Sequence, residues 1–403
     1  MPGSIRRYTD GGAARAVMGA KGVRMNGTSY DAIVLGLGAM GSATAACLAG
    51  RDVRVLGLDS YPPAHAFGSS HGRSRIIREA YYEAPEYVPL VQRSYALWRE
   101  LEAASGRSLL TLTGGICFGP PDDNLVVGAQ RSADLHRLPY ERLTADEIGR
   151  RLLGFRIPQG MSGIFEPRAG ILDPEAGVEA HLSVAAQHGA DLHHEEPAVS
   201  WHADGAGVRV ETQRATYRAQ RLVIAAGAWA GHMLEDLRLP LTVQRIVNVY
   251  FQPEQPETFS VQRFPIYLFH SPEGAYYGFP DVPGQGLKIG RHDHGEVTTP
   301  QTIRRAVSPA EVQMLRAVLD RYLPGAAGAV LRTATCMYTM TPDEHFILDR
   351  HPRQPNVVFG AGFSGHGYKF APVIGEILAD LATGAGSAYD IGFLSLRRFP
   401  TAA

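Results

Sequence analysis

Apolar positions fall into short runs separated by small and polar residues, and the runs change character along the chain. Asp31-Ala-Ile-Val-Leu35 is a compact apolar run of the kind a buried parallel strand shows. Gly36-Leu-Gly38-Ala-Met-Gly41 follows, then a helix of small residues from Ser42 to Gly50. Val53–Leu58 reads as a second strand and ends on Asp59, 18 positions past the third glycine. Asp173-Pro174 opens another helix, with an Asp N-cap and Pro in the first turn, running through Val178 and Leu182 towards Gly189. Strand-like runs follow at 207–212 and 221–226, the latter closing on Gly227-Ala-Trp229. Then the texture changes. The runs 243–251, 264–269, 275–279 and 286–290, punctuated by Ser271-Pro-Glu-Gly274 and Asp281-Val-Pro-Gly284, predict an antiparallel meander. Residues 303–323 read as helical. The C-terminal part returns to α/β, with a strand at 356–360, a glycine-rich turn from Gly362 to Lys369 and a helix from Ile374 to Leu381.

Composition narrows the class. The 403 residues suffice for two or three domains, and 45% hydrophobic with 20% charged residues is ordinary for a globular protein. A net charge of −1 argues against a nucleic-acid partner, which needs a basic face. No apolar run approaches membrane-spanning length, so no membrane association is expected. Residues 1–29 carry Arg6, Arg7, Arg15, Lys21 and Arg24 against Asp10 alone and read as a disordered extension. They lack an apolar signal core, and with three cysteines in the whole chain this predicts a cytoplasmic protein. Of the 39 basic residues only Lys21, Lys288 and Lys369 are lysines. A chain that writes Arg nearly everywhere makes a retained lysine a candidate for chemistry needing a compact ammonium.

The Gly36, Gly38, Gly41 turn, set between strand and helix and followed by Asp59, is a dinucleotide-binding pattern. Glycines admit a pyrophosphate to the helix N-terminus, and the acid would accept from a ribose. The pattern alone does not separate NAD from FAD. On residues alone Cys336 reads as a small buried hydrophobe, Lys288 as a strand lysine facing away from Leu287 and Ile289, and Arg78 as a surface arginine. His193-His194-Glu195-Glu196 has no matching cluster elsewhere, so no metal is expected.

Four separated segments carry a closer likeness. They are Gly68-Ser-Ser-His71 through Arg75, Arg78 and Glu83; Tyr276-Tyr277-Gly-Phe-Pro with Gly286-Leu-Lys288-Ile-Gly-Arg-His292; Thr335-Cys336-Met-Tyr338-Thr-Met-Thr-Pro-Asp; and Gly362-Phe-Ser-Gly-His-Gly-Tyr-Lys369. In this order they resemble the monomeric sarcosine oxidase and N-methyltryptophan oxidase family, over about 370 residues from Tyr30 to Pro400. The resemblance implies a Rossmann-type α/β FAD-binding domain of residues 30–108, 172–240 and 335–403. A second, antiparallel-sheet substrate domain (α+β) would take 109–171 and 241–334. It also implies FAD bound covalently through Cys336 and cradled by Gly36, Gly38, Gly41, Asp59, Gly227, Gly362, Gly365 and Gly367. Arg78 and Lys369 would grip a substrate carboxylate. His71 and Arg75 would lie over the flavin as cationic donors, and Lys288 beside it would assist oxygen reduction. Tyr277, His292 and Tyr338 would line the substrate cavity, with Glu83 an acid on a mobile entrance loop. Family members often carry a second histidine at Ser70, an acid at Arg73 and histidine at Glu79. The implied activity is oxidation of sarcosine or a related small secondary amino acid by O2, by a monomer, giving glycine, formaldehyde and H2O2. A biosynthetic oxidase or desaturase of a bulkier imino acid is the second enzymatic reading. A non-catalytic flavin-binding protein is disfavoured because Cys336, Lys288, Arg78 and Lys369 are all intact.

Overall fold

The computed structural model describes residues 24–399, which two large sheets organise. The fold class is the expected one. In the first sheet the strand Arg24–Leu35 pairs in parallel with Val55–Leu58 on one side and Ala215–Ile224 on the other. Asp191–His193 and Gln354–Ala361 extend the parallel array outward. Antiparallel neighbours complete it: Ile347–His351 beside Gln354–Ala361, and Ala198–Asp204 with Gly207–Thr212 beside the first half of Ala215–Ile224.

That first half explains a departure from the sequence reading. Order was expected to begin at Tyr30, yet the strand starts at Arg24, opposite Ala215. Ala215–Ile224 projects beyond the parallel core, and its free backbone groups take the extra residues through an irregularity between Met25 and Ser29. Asn26 and Gly27 hide this pairing from any apolar pattern. Residues 1–23 of the expected extension lie outside the described residues.

The helix Ala39–Ala49 is buried at every position but Cys47. Its small side chains let Pro174–Gln187 and Ala371–Thr383 pack closely on either side. Trp98, Tyr87, Phe346 and Phe370 fill the same core. Cys47 and Cys117 are packing residues, their thiols pushed up by burial to about 11 and about 12.

The second sheet holds the expected meander as Thr242–Phe251, Ile266–Ser271, Gly274–Val282 and Gly286–Arg291. Gly115–Gly119, Ser162–Glu166 and Glu141–Thr144 widen it, with Gly115–Gly119 running parallel to Ile266–Ser271. The helix expected at 303–323 starts at Pro309, where Ser308 and Glu311 form a capping box. It covers the sheet with Leu315, Leu319 and Tyr322. The strand Val330–Met340 pairs along its whole length with Thr242–Phe251, so the boundary expected between 334 and 335 falls inside it. Cys336, opposite Ile246, is therefore carried by the second sheet.

His193 sits between Asp191 and Glu196, which also accepts from Tyr217 and Thr212. Among the described residues no helix is long and apolar enough to cross a membrane.

Candidate active site

A cavity of about 460 Å3 runs past the Gly36 turn, Asp59 and Ser69 to Cys336, Gly362 and Gly365. Its first end is built from backbone. Gly36 has φ +87°, and a Cβ there would stand 2.6 Å from the Ala225 carbonyl oxygen. A Cβ on Gly41 would overlap the Gly36 carbonyl oxygen. Gly38 caps the helix Ala39–Ala49 without a side chain, and Ser70 Oγ accepts from Ala39 N at 3.1 Å. Ser70, where relatives of the resembled family often carry histidine, thus helps to hold the helix start. Asp59, the expected ribose acceptor, is engaged by backbone here. Its Oδ2 accepts from Leu37 N at 2.6 Å and its Oδ1 from Tyr61 N at 2.9 Å, bracing the glycine turn. Gly227, Gly362, Gly365 and Gly367 line the same cavity. A turn closed to side chains beside open helix N–H groups fits a dinucleotide pyrophosphate.

At the other end Cys336 Sγ lies 3.6 Å from both the Ser69 carbonyl oxygen and Arg75 Nη2. Arg75 is anchored to the Ser74 and Ser69 carbonyls at 2.9 and 2.8 Å. His71 departs from its expected role. Burial, with Arg75 and Lys288 close by, pushes its pKa down to about 3, so at neutral pH it is uncharged and Arg75 is the cation. Both His71 ring nitrogens are buried without a partner among the described residues, as befits a wall that a bound group completes.

Lys288 lies within a strand buried on both faces, not on an exposed one. Burial, then Arg75, weakens its hold on its proton. Three acceptors answer this: Nζ donates to the Gly72 and Ser74 carbonyls at 3.0 Å each and to Ser74 Oγ at 3.3 Å, matching the three N–H donors of an ammonium. The Phe279 ring centre lies 4.7 Å away. Two residues that sequence reading missed hold this loop. Glu175 accepts from Gly72 N at 2.7 Å and Arg73 N at 3.0 Å, and Tyr250 donates to the Gly72 carbonyl at 2.7 Å. Glu175 follows Asp173-Pro174, which signalled only a helix start.

A chamber of about 60 Å3 adjoins the cavity, sharing Arg75, Cys336, Tyr338, Gly365 and Tyr368 with it. Arg78, Glu83, Tyr277, His292 and Lys369 stand on its polar wall, with Tyr82 and His366 beside them. The Arg78 guanidinium packs over the Tyr81 and Tyr82 rings, 4.3 and 4.7 Å from their centres. Its Nη1 donates to the Ala80 carbonyl at 2.8 Å and its Nη2 to both Glu83 oxygens at 2.6 and 2.7 Å. Arg78 Nε is buried and unpaired among the described residues. Burial alone would raise the Glu83 carboxyl, but Arg78, His366 and Lys369 hold it down at about 2. Glu83 is thus a buried partner of Arg78 rather than an entrance residue.

Lys369 Nζ donates to the His366 carbonyl at 2.7 Å and reaches Tyr81 Oη at 3.4 Å. Burial and the nearby Arg78 bring its pKa down to about 7. His366 Nε2 faces the Glu344 carbonyl at 3.0 Å and must donate to it, so Nδ1 accepts from Tyr81 at 2.5 Å. His292 lies 3.3 Å from Tyr338 Oη, and burial lowers its pKa to about 4. Tyr277 donates to Asn248 Oδ1 at 2.7 Å. Tyr81, His366 and Asn248 carried no signal of their own in sequence.

Residues 31–381 match the profile of a family described as FAD dependent oxidoreductase. The chain belongs to that family. The monomeric sarcosine oxidase of Streptomyces avermitilis is 46% identical over 379 residues, which is 93% of this chain and 99% of that protein. The N-methyl-L-tryptophan oxidase of Salmonella newport is 35% identical over 373 residues, 92% of this chain and 99% of that one. Among solved structures, the open form of NikD, an unusual amino acid oxidase essential for nikkomycin biosynthesis, superposes with a TM-score of 0.81 at 29% identity, covering 91% and 97% of the two chains. This FAD-dependent oxidoreductase is a flavin-dependent amine oxidase, and the cavity of about 460 Å3 at the Gly36 turn is where its cofactor would fit.

Proposed function

We propose that the enzyme oxidises sarcosine or a similarly small secondary amino acid at the carbon beside nitrogen. Substrate, O2 and water give glycine, formaldehyde and H2O2. The observation that carries this reading is a chamber of about 60 Å3 with two buried cations, Arg78 and Lys369, on its wall and an unpaired donor at Arg78 Nε. A small acid fits that volume and charge better than the bulkier imino acid of the second reading. The likeness to monomeric sarcosine oxidases at 46% identity supports the same choice.

In this reading the substrate carboxylate takes Arg78 and the remaining N–H of Lys369, sharing the guanidinium with Glu83. A planar fork and a point charge together fix one end of the molecule. The dry chamber disfavours the ammonium form, and the neutral amine is the form whose lone pair assists C–H cleavage. Neutral His292 and the phenols of Tyr277 and Tyr338 add no competing charge. Bound FAD supplies the two-electron acceptor and returns those electrons to O2. Cys336 is its covalent attachment point, its sulfur lying between Arg75 and the Ser69 carbonyl. Lys288 offers a localised positive charge to oxygen as it is reduced. Water then adds to the released imine, and the adduct divides into glycine and formaldehyde. We also infer a monomer working in the cytoplasm, in keeping with the sparse cysteines and the relatives described as monomeric.

A peroxide assay across sarcosine, larger N-methyl amino acids, pipecolate and proline tests the substrate, and sarcosine should show the highest kcat/KM. A clear preference for pipecolate or a larger acid overturns the reading. Acid-precipitated protein should stay yellow and yield a flavin peptide containing Cys336; flavin released wholly into the supernatant removes the covalent assignment.

A further inference from the structure

Arg78 stands just past the end of sheet pairing. The strand Arg75–Ile77 makes its last ladder contact at Ile77, opposite Gly170. Beyond Arg78 the backbone donors Glu79 N and Ala80 N are buried and need acceptors from elsewhere. One side chain provides both. Glu166, the last residue of Ser162–Glu166 in the second sheet, is 3% exposed. Its Oε1 accepts from Glu79 N at 2.6 Å and its Oε2 from Ala80 N at 2.8 Å. Ala80 in turn offers its carbonyl to Arg78 Nη1 at 2.8 Å. The carboxylate thus grips the backbone on which the Arg78 guanidinium leans. Glu166 is not among the residues lining the substrate chamber.

We propose that Glu166 is the positioning residue for Arg78, its ionised carboxylate setting where the guanidinium meets the substrate carboxylate. This rests on the reading of Arg78 as the carboxylate-binding group.

Ionisation matters because both oxygens must accept. A proton on either would turn a donor towards an N–H. Burial pushes the Glu166 carboxyl up to about 7, with Glu79 adding to the rise; the Glu79 and Ala80 N–H groups and Arg78 oppose it. The other charged or titratable groups around it are Arg168, 3.3 Å from Glu79, the phenol of Tyr95, and Cys117 beneath Arg78. The grip therefore loosens as pH falls through about 7, and affinity for a carboxylate should fall with it.

The test is a double-mutant cycle on the full-length holoenzyme. It uses sarcosine as substrate and propionate as the carboxylate probe, read by competitive inhibition. Arg78→Ala should weaken both at least about tenfold. Glu166→Gln keeps the shape but leaves one N–H without an acceptor; it should weaken both about five- to tenfold, with kcat at saturating sarcosine within about twofold of the parent. In the Arg78→Ala background the same change should add less than about twofold, since a residue acting through Arg78 has nothing left to position. Glu166→Gln should also abolish the acid-side fall in propionate affinity. Equal losses in both backgrounds, or an acid-side fall that survives in Glu166→Gln, overturn the inference. So does unchanged affinity in Glu166→Gln beside a weakened Arg78→Ala, and that result leaves the reading of Arg78 standing. Unchanged affinity in Arg78→Ala removes the reading and the inference together. Should Glu166→Gln fail to retain flavin, Glu166→Asp, whose shorter side chain cannot reach both N–H groups, replaces it in the same cycle, and the affinity outcomes alone decide because Asp still titrates.

Discussion

The turn at Gly36 is made of backbone, whereas the chamber around Arg78 is made of charged side chains. At the turn the glycines succeed by having no side chain, while Asp59 and Ser70 accept from the backbone N–H groups beside them. In the chamber Arg78, Glu83 and Lys369 are all buried, and each depends on the others' charge. The first kind of site is sensitive to a single methyl group. The second is held by charge and responds to pH. Cofactor retention and substrate affinity should therefore fail separately and for different reasons.

The largest effect is expected at the turn. Gly41→Ala sets a methyl group onto the Gly36 carbonyl, and neither backbone can yield without unseating Asp59. The purified variant should carry no flavin, read as loss of visible absorbance relative to protein. Full flavin content would break the contrast. Next comes Lys288→Met. Removing the one compact cation beside Gly72 should slow reoxidation by about 10²–10³-fold, while anaerobic reduction by substrate stays within a few-fold. Stopped-flow kinetics of the two half-reactions decide it. Lys288→Arg should rescue poorly, because three acceptors grouped round one point suit an ammonium, not a planar fork. Wild-type reoxidation in Lys288→Met would remove this residue from oxygen chemistry. Arg78→Ala follows, with KM raised at least about tenfold and reoxidation untouched. Equal damage to both half-reactions would show that the chamber and the oxygen site are one unit. The smallest effect belongs to Lys369. Above about pH 7 it loses its proton, so the carboxylate then meets a neutral amine. Propionate affinity should fall about two- to fivefold on that side, the worth of one remaining charge contact. Lys369→Met should show no such limb.

The same contrast explains what could be read in advance. The Gly36 turn, its flanking strands and Asp59 lie within 30 consecutive residues, so periodicity and spacing reveal them. Lys288 and Lys369 stood out because arginine occupies nearly every other basic position. The chamber's wiring was hidden because distant segments make it. His71 is neutral only because Arg75 and Lys288 are packed nearby, and Glu83 faces inward because Arg78 is there to receive it. Glu166 is separated from Arg78 by most of a domain of sequence, and no local pattern distinguishes it from other strand-ending acids. The pairing of Arg24–Ser29 depends on the reach of a strand nearly two hundred residues later.

The burial of Ala39–Ala49 has a consequence for how the chain is made. This helix is buried almost all round, and one of its covers, Ala371–Thr383, is synthesised long after it. About 320 residues separate them, roughly 15–60 s of synthesis at usual elongation rates. For that interval the nascent protein displays a sticky helix with half its partners unmade, an opening for chaperones and a hazard without them. Lys369 sits immediately before the closing helix. Core closure and completion of the chamber around Arg78 thus wait on the same segment, and a chain cut short before it has neither.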